Sequence, residues 1–258
     1  FDVLVVFILS KWCMGMLGLI GGTGLSDFEG LDLKEQCWLE TPFGEPSSSI
    51  CFGELNGAQV AFLARHGKPH KLAPHLINYR ANLSALKQAG VTEVISVNAV
   101  GGIHSALGPA QVSIPDQIID YTYGRAHTIY DGVYFDRVDH IDFTKPYTET
   151  VRQKLIQAAQ EERIDILPLG TYGATQGPRL ESAAEINRMD RDGCDIVGMT
   201  AMPEAGLARE LDMDYASLCL VVNPAAGRSD TLITMDDIHR VVDTGMLKVR
   251  ALLKAAIA

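Results

Sequence analysis

From Leu17 onward, short apolar runs rich in β-branched residues alternate with longer stretches whose apolar positions recur every three or four residues, and nothing else in the chain limits its fold so tightly. "LGLIGG" (17–22), "AQVAFLAR" (58–65), "VTEVISVNAVGG" (91–102), "GTYGAT" (170–175), "CDIVGM" (194–199) and "YASLCLVVN" (215–223) have the length and residue types of buried strands. Between them, "APHLINYRANLSALKQAG" (73–90), "TETVRQKLIQAAQEER" (148–163), "ESAAEINRMDRDG" (181–193) and the C-terminal stretch from Met235 read as helices, the last with a bend near Gly245. Strands that alternate with helices imply an α/β fold, with a largely parallel sheet covered on both faces.

A chain of 258 residues, 47% of them hydrophobic, can bury one large core, and no low-complexity linker or repeat divides it. Its formal charge of −10 argues against a general nucleic-acid or anionic-membrane surface, so any anion site must be local. Five cysteines at irregular spacing, without a C-x-x-C pair, support neither a disulfide framework nor a zinc site and fit a reducing cytoplasm. The opening "FDVLVVFILSKWCMG" is too short in its apolar run to span a bilayer and lacks a cleavage site. Residues 1–15 therefore read as a non-native or accessory extension, and 16–258 as the domain.

In parallel sheets, ligands gather beyond the carboxyl ends of the strands, and several strand ends here carry glycines beside polar side chains. "GGTGLSD" lacks the third glycine of a dinucleotide fingerprint and the Lys-Ser/Thr of a P-loop, which leaves a turn whose N–H groups and Thr23 hydroxyl suit one small oxyanion or no ligand at all. "ARHGKPH" sets Arg65, a planar fork suited to phosphate, beside the imidazole of His66. The glycines of "NAVGG" (98–102) let backbone approach a ligand or simply end a strand, and Glu181 of "GPRLES" either serves a site or complements the dipole of the helix it starts. His70, His75 and His127 carry no role in this reading, and no H-x-x-x-H helix supports a metal.

Taken together, "IGGTGL", "TPFGEPS", "LARHG", "NYRANLSALKQAG", "NAVGGI", "GPRLESAAE", "DIVGMTAMPEAGLARE" and "VVNPAAG" resemble the trimeric nucleoside phosphorylase family, in the branch of purine nucleoside and 5′-methylthioadenosine phosphorylases. The resemblance covers nearly everything from Met16 and implies a single domain with a mixed central β-sheet flanked by helices. It implies a phosphate site at Thr23, Arg65, His66, Asn98, the Ala99 backbone and Thr200, with Met199 against the ribose. Glu204 would secure the loop and helix. A nucleoside site would include Leu180, Glu181, Asn223, Pro224, Ala225, Met235 and Ile238, with His140, and Phe143 beside it, reaching in from a neighbouring subunit. Asn223, Arg65 and His66 would carry the chemistry. No metal or organic cofactor is implied, only inorganic phosphate as co-substrate, in a cytoplasmic homotrimer or a dimer of trimers.

The same resemblance bears on the substrate. Adenine-preferring members carry acids where this chain has Asn223 and Ala225, so Asn223 with Glu181 suits a 6-oxopurine. Where ordinary purine nucleoside phosphorylases place a His near the 5′-hydroxyl, "LITMDDI" offers Met235 and Ile238, a wall for a methylthio group. The expectation is phosphorolysis of 5′-methylthioinosine, with methylthioadenosine or a general 6-oxopurine nucleoside as alternatives. A nucleosidase using water, or a nucleoside-binding protein without turnover, are the rivals from other classes.

Overall fold

The computed structural model describes residues 15–22, 32–135, 137–230 and 232–257. Among them the chain forms eleven strands: β1 (Met16–Gly21), β2 (Asp32–Cys37), β3 (Ile50–Leu55), β4 (Ala58–Ala64), β5 (Val91–Gly102), β6 (Val112–Ser113), β7 (Gln117–Asp120), β8 (Ile166–Leu167), β9 (Thr171–Ala174), β10 (Ile196–Gly198) and β11 (Asp214–Pro224). Five α-helices accompany them: α1 (Tyr79–Gln88), α2 (Glu149–Glu161), α3 (Ala183–Arg191), α4 (Ala201–Glu210) and α5 (Met235–Ala256). All the strands join one mixed sheet in the order β2-β3-β4-β1-β5-β10-β9-β7, with β11 along the other edge of β5 and β6 and β8 beyond it.

Successive strand residues feed opposite faces, as the pleat requires. Leu19, Val60, Phe62 and Ile95 point into a core shared with Val151 and Leu155 of α2 and Val242, Val249 and Leu252 of α5. Their neighbours Ile20, Ala61, Leu63 and Val94 point the other way, onto Leu83 and Leu86 of α1 and Ala205 and Leu207 of α4. Burial on both faces explains why these strands read as continuous apolar runs.

Helix boundaries follow their caps. The stretch expected as one helix over 73–90 splits, because Asn78 caps α1 by accepting from the Ala81 N–H, and Pro74–Leu76 form a separate 3-10 turn. The bend expected near Gly245 is absent: α5 runs unbroken through it. There a glycine is needed for packing, since a Cβ would lie 2.5 Å from Leu220 Cδ1 on β11.

The feature that makes room for a site is the way β5 changes partners. Its first half pairs in parallel with β1 as far as Ile20↔Ser96, while its end pairs antiparallel with β10 at Val197↔Gly101 and Ile196↔Gly102. On that edge residues 97–100 have no strand partner among the described residues, whereas β11 follows the opposite edge as far as Pro224↔Gly102. A sheet that parts in this way opens a crevice between diverging strands.

Candidate active site

A cavity of about 450 Å³ occupies this crevice, a volume ordinary for a small-molecule site. Gly22 beyond β1, Arg65 and His66 beyond β4, Ala99 to Gly101 of β5, Val197 to Thr200 at the end of β10 and Val222, Asn223 and Ala225 of β11 line it. Pro178, Leu180 and Glu181 after β9, and Ile233, Met235 and Ile238 at the start of α5, complete the wall. Because β10 runs back along β5, Thr200 returns to the middle of that strand, where its hydroxyl donates to Asn98 Oδ1 at 2.8 Å.

Beneath the cavity lies a buried polar network. Arg65 is 1% exposed, and its Nε and Nη2 donate to Glu204 Oε2 and Oε1 at 2.7 and 3.0 Å. Nη2 also donates to Ser96 Oγ and Nη1 to the Val97 carbonyl. The fork read from sequence as a bidentate grip for phosphate is therefore turned onto Glu204, and among the described residues one Nη1–H is left for a ligand. Gly22 keeps that N–H approachable, since a Cβ there would lie 3.0 Å from Nη1. Burial presses the guanidinium toward its neutral form, but the charge and hydrogen bonds of Glu204 outweigh it and hold its pKa above the ordinary value. Glu204 also accepts from Ser96 Oγ and the Tyr215 hydroxyl, so four hydrogen bonds converge on one carboxylate. Glu204 on α4 thereby ties Arg65 to β5 and β11, partners other than the loop and helix it was expected to secure.

His66 Nδ1 lies 2.8 Å from the Leu72 carbonyl, which can only accept, so Nδ1 carries the proton and Nε2 offers a lone pair in the neutral ring. Burial, then the Arg65 charge, draws its pKa down from 6.5 to about 4, although the bond to Leu72 works the other way. His70, given no role from sequence, stacks on His66 with ring centroids 4.2 Å apart and lines the cavity with Lys71, Leu72, Ala73 and Pro74. His75 and His127 lie on the exposed surface away from it.

Asn98 sits one layer deeper: its Nδ2 donates to the Ser96 carbonyl and to Ser96 and Ser217 hydroxyls, and Ala99 faces the cavity in its place. Glu181 is held by the Thr175 hydroxyl, which donates to Oε1 at 2.6 Å. The dipole-complementing acid of α3 is Glu185, joined to Ser182 in a capping box, so Glu181 stands before the helix and free of that duty. Asn223 Nδ2 donates to the Pro224 carbonyl at 2.7 Å, which leaves its second N–H and Oδ1 unengaged among the described residues. Pro224 itself lines a smaller neighbouring hollow. His140 is exposed and outside the cavity, Phe143 packs against the core, and Thr23 lies outside the described residues. The sequence reading missed the His70–Pro74 wall, although its Gly and Pro residues mark a loop directly after a strand. It also missed Ser96, Tyr215 and Arg125, which no local pattern singles out.

The cavity is lined by Arg65, which keeps one N–H of a buried cation unspent among the described residues, by Thr200 and by the backbone of β5 from Ala99 to Gly101, groups that suit an oxyanion. The same cavity is lined by the Glu181 carboxylate, the Asn223 amide and the apolar Val222, Ile233, Met235 and Ile238. A family model described as the phosphorylase superfamily matches residues 16–258. A Pseudomonas syringae pv. tomato protein named a probable S-methyl-5′-thioinosine phosphorylase is 52% identical over 240 residues, covering 93% of this chain and 97% of the relative. A 6-oxopurine nucleoside phosphorylase of Pyrococcus furiosus is 42% identical over 248 residues, covering 95% and 92%. The solved structure of methylthioadenosine phosphorylase from Schistosoma mansoni in complex with adenine matches with a TM-score of 0.89 at 31% identity, covering 94% of this chain and 91% of that one.

Proposed function

The chain belongs to the phosphorylase superfamily, and from that premise we propose that it is a pentosyltransferase cleaving 5′-methylthioinosine with orthophosphate, to give hypoxanthine and 5-methylthioribose 1-phosphate. The observation that carries the substrate is that Glu181 and Asn223 line the same cavity as the apolar Val222, Ile233, Met235 and Ile238. Glu181 Oε2 can accept from N1–H of a 6-oxopurine while Thr175 holds Oε1, and the free N–H of Asn223 can donate to O6 or N7. A methylthio group against the apolar patch gains roughly 1–3 kcal/mol over a hydroxyl there.

In this reading phosphate is held beside Arg65 by the remaining Nη1–H, the backbone at Ala99 and the Thr200 hydroxyl, whose one O–H turns from Asn98 Oδ1 to the phosphate when it binds. An unprotonated oxygen of the HPO4 dianion attacks the anomeric carbon as the C–N bond breaks, the bond electrons leave with the purine, and the proton that the phosphate brought passes through solvent to N7, so that a sugar phosphate dianion and a neutral purine result. Positive charge on the sugar is stabilised by the phosphate beneath it, and negative charge on the base by Asn223. Neutral His66 accepts at Nε2 from a phosphate or sugar hydroxyl. No protein nucleophile and no cofactor enter.

Assembly as a homotrimer, or a dimer of trimers, belongs to the same reading. Tyr123, Val133, Tyr134 and Val138, all at least 60% exposed, precede His140 in the chain and offer apolar surface to a second copy. A cytoplasmic setting agrees with Cys37, Cys51, Cys194 and Cys219 all being free, and no helix among the described residues is long and apolar enough to cross a membrane.

A methylthioadenosine reading keeps one specific support: Asn223 can turn Oδ1 toward a 6-amino group. Comparing kcat/KM for methylthioinosine, methylthioadenosine and inosine decides the matter. The proposal expects methylthioinosine to lead both, and a preference for methylthioadenosine above about tenfold overturns the base assignment.

A further inference from the structure

Arg125 lies in the irregular segment after β7, is 7% exposed, and pairs with no carboxylate among the described residues. Its five N–H groups instead meet six oxygens. Nη1 donates to the carbonyls of Met199 and Met202 at 2.8 and 2.6 Å and to the Tyr79 hydroxyl at 3.3 Å. Nη2 donates to the carbonyls of Thr175 and Gln176 at 3.1 and 2.8 Å, and Nε to Gln176 Oε1 at 3.1 Å. The guanidinium lies over the Tyr79 ring, 5.5 Å from its centroid.

These carbonyls belong to two different strand ends. Met199 precedes Thr200, the N-cap of α4, and Met202 has extended torsions (φ −117°, ψ 137°) inside that helix's first turn, so the local helical ladder is interrupted there. Thr175 and Gln176 follow β9 and lead to Glu181, which the Thr175 hydroxyl holds. The two turns also pack closely, since a Cβ on Gly177 would lie 2.5 Å from Met199 Sδ. Buried carbonyls outside regular structure need donors, and a planar cation with five of them can bind both turns at fixed separation.

We infer that Arg125 is a positioning residue for the transfer reaction: by clamping the Thr175–Gln176 turn to the Met199–Met202 turn, it sets the distance between the wall that reads the purine and the wall that holds sugar and phosphate. It touches neither substrate. The inference rests on the phosphorylase reading, which the wild-type enzyme tests separately through its need for phosphate.

The test uses Arg125→Lys, which keeps the charge but loses the fork. Its control is Arg152→Lys: Arg152 is also buried, at 2% exposure, and also bonds carbonyls, those of Ile114, Pro115 and Pro168, but on loops away from the cavity. With both variants assayed below their melting temperatures, Arg125→Lys should lose about tenfold or more in kcat/KM toward both nucleoside and phosphate, with kcat lowered as well, because misplacements near 1 Å can cost up to about a hundredfold. Arg152→Lys should stay within about threefold of wild type, since it disturbs no cavity wall. Gln176→Ala removes the side-chain acceptor that orients Nε and that also receives the Tyr123 N–H on the exposed side of the turn. It should keep the wild-type melting temperature and lose about threefold or more in kcat/KM, and it carries the test should Arg125→Lys fail to fold. Wild-type kcat/KM in Gln176→Ala, wild-type kcat/KM in a folded Arg125→Lys, or an equal loss in Arg152→Lys overturns the inference.

Discussion

Replacing Glu204 by Gln isolates what the buried ion pair does for the anion site. The carboxylate is 0% exposed and receives two hydrogen bonds from Arg65 and one each from Ser96 and Tyr215. Glutamine keeps the shape, but its amide nitrogen must face at least one of these donors, and Arg65 becomes a buried cation without a counter-ion. Breaking such a pair by neutralising one partner costs about 3–5 kcal/mol. At about 2–4 °C per kcal/mol for a chain of this size, the melting temperature should fall by about 6–20 °C. Phosphate should then offset part of the loss, because its charge supplies the counter-ion that Glu204 no longer provides. If it binds the variant tenfold more tightly, it adds about 1.4 kcal/mol at a given concentration, or about 3–6 °C more upshift than in wild type. Differential scanning fluorimetry across a phosphate titration measures both effects. An upshift in the variant equal to or smaller than that of wild type refutes the idea that Arg65 faces the anion at all.

Two other outcomes follow from the wall residues. Asn223→Asp provides an acceptor for a 6-amino group and, when protonated, a donor to N7, so the kcat/KM ratio of methylthioadenosine to methylthioinosine should rise by about tenfold or more; an unchanged ratio removes Asn223 from base recognition. His66 holds its neutral form in the folded protein, with a pKa near 4 against 6.5, so the unfolded chain takes up the proton first and stability is lost as pH falls from 6.5 toward 4. The loss from this group is on the order of 3 kcal/mol at most, and His66→Gln should flatten that part of the stability curve in urea titrations; an unaltered slope shows that the ring titrates normally.

Much of the fold is legible in sequence for a physical reason. β1, β4, β5, β9, β10 and β11 are buried on both faces or nearly so, and burial on both faces leaves an apolar run. β2 escapes notice because it forms the outer edge of the β2–β3–β4 antiparallel unit, and its "DLKEQC" is largely exposed. β6 and β8 are two residues long, too short for any period. The cavity wall is legible for a related reason, since glycines and polar groups collect where apolar strands end. What sequence could not supply is the layer behind that wall. Arg65 and Glu204 are 139 residues apart, and Arg125 reaches Met199 across 74. Neither partnership leaves a local pattern, so Arg65 read as an open fork and Arg125 drew no notice. Gly245 misled for the opposite reason: its helix-breaking tendency is local, whereas its use against Leu220 is tertiary.

Everything in the account depends on orthophosphate being the attacking group. Base release from methylthioinosine should be undetectable in phosphate-free buffer, should saturate with added phosphate, and should yield hypoxanthine and 5-methylthioribose 1-phosphate in equal amounts. Hypoxanthine released with free methylthioribose at a rate indifferent to phosphate would contradict it.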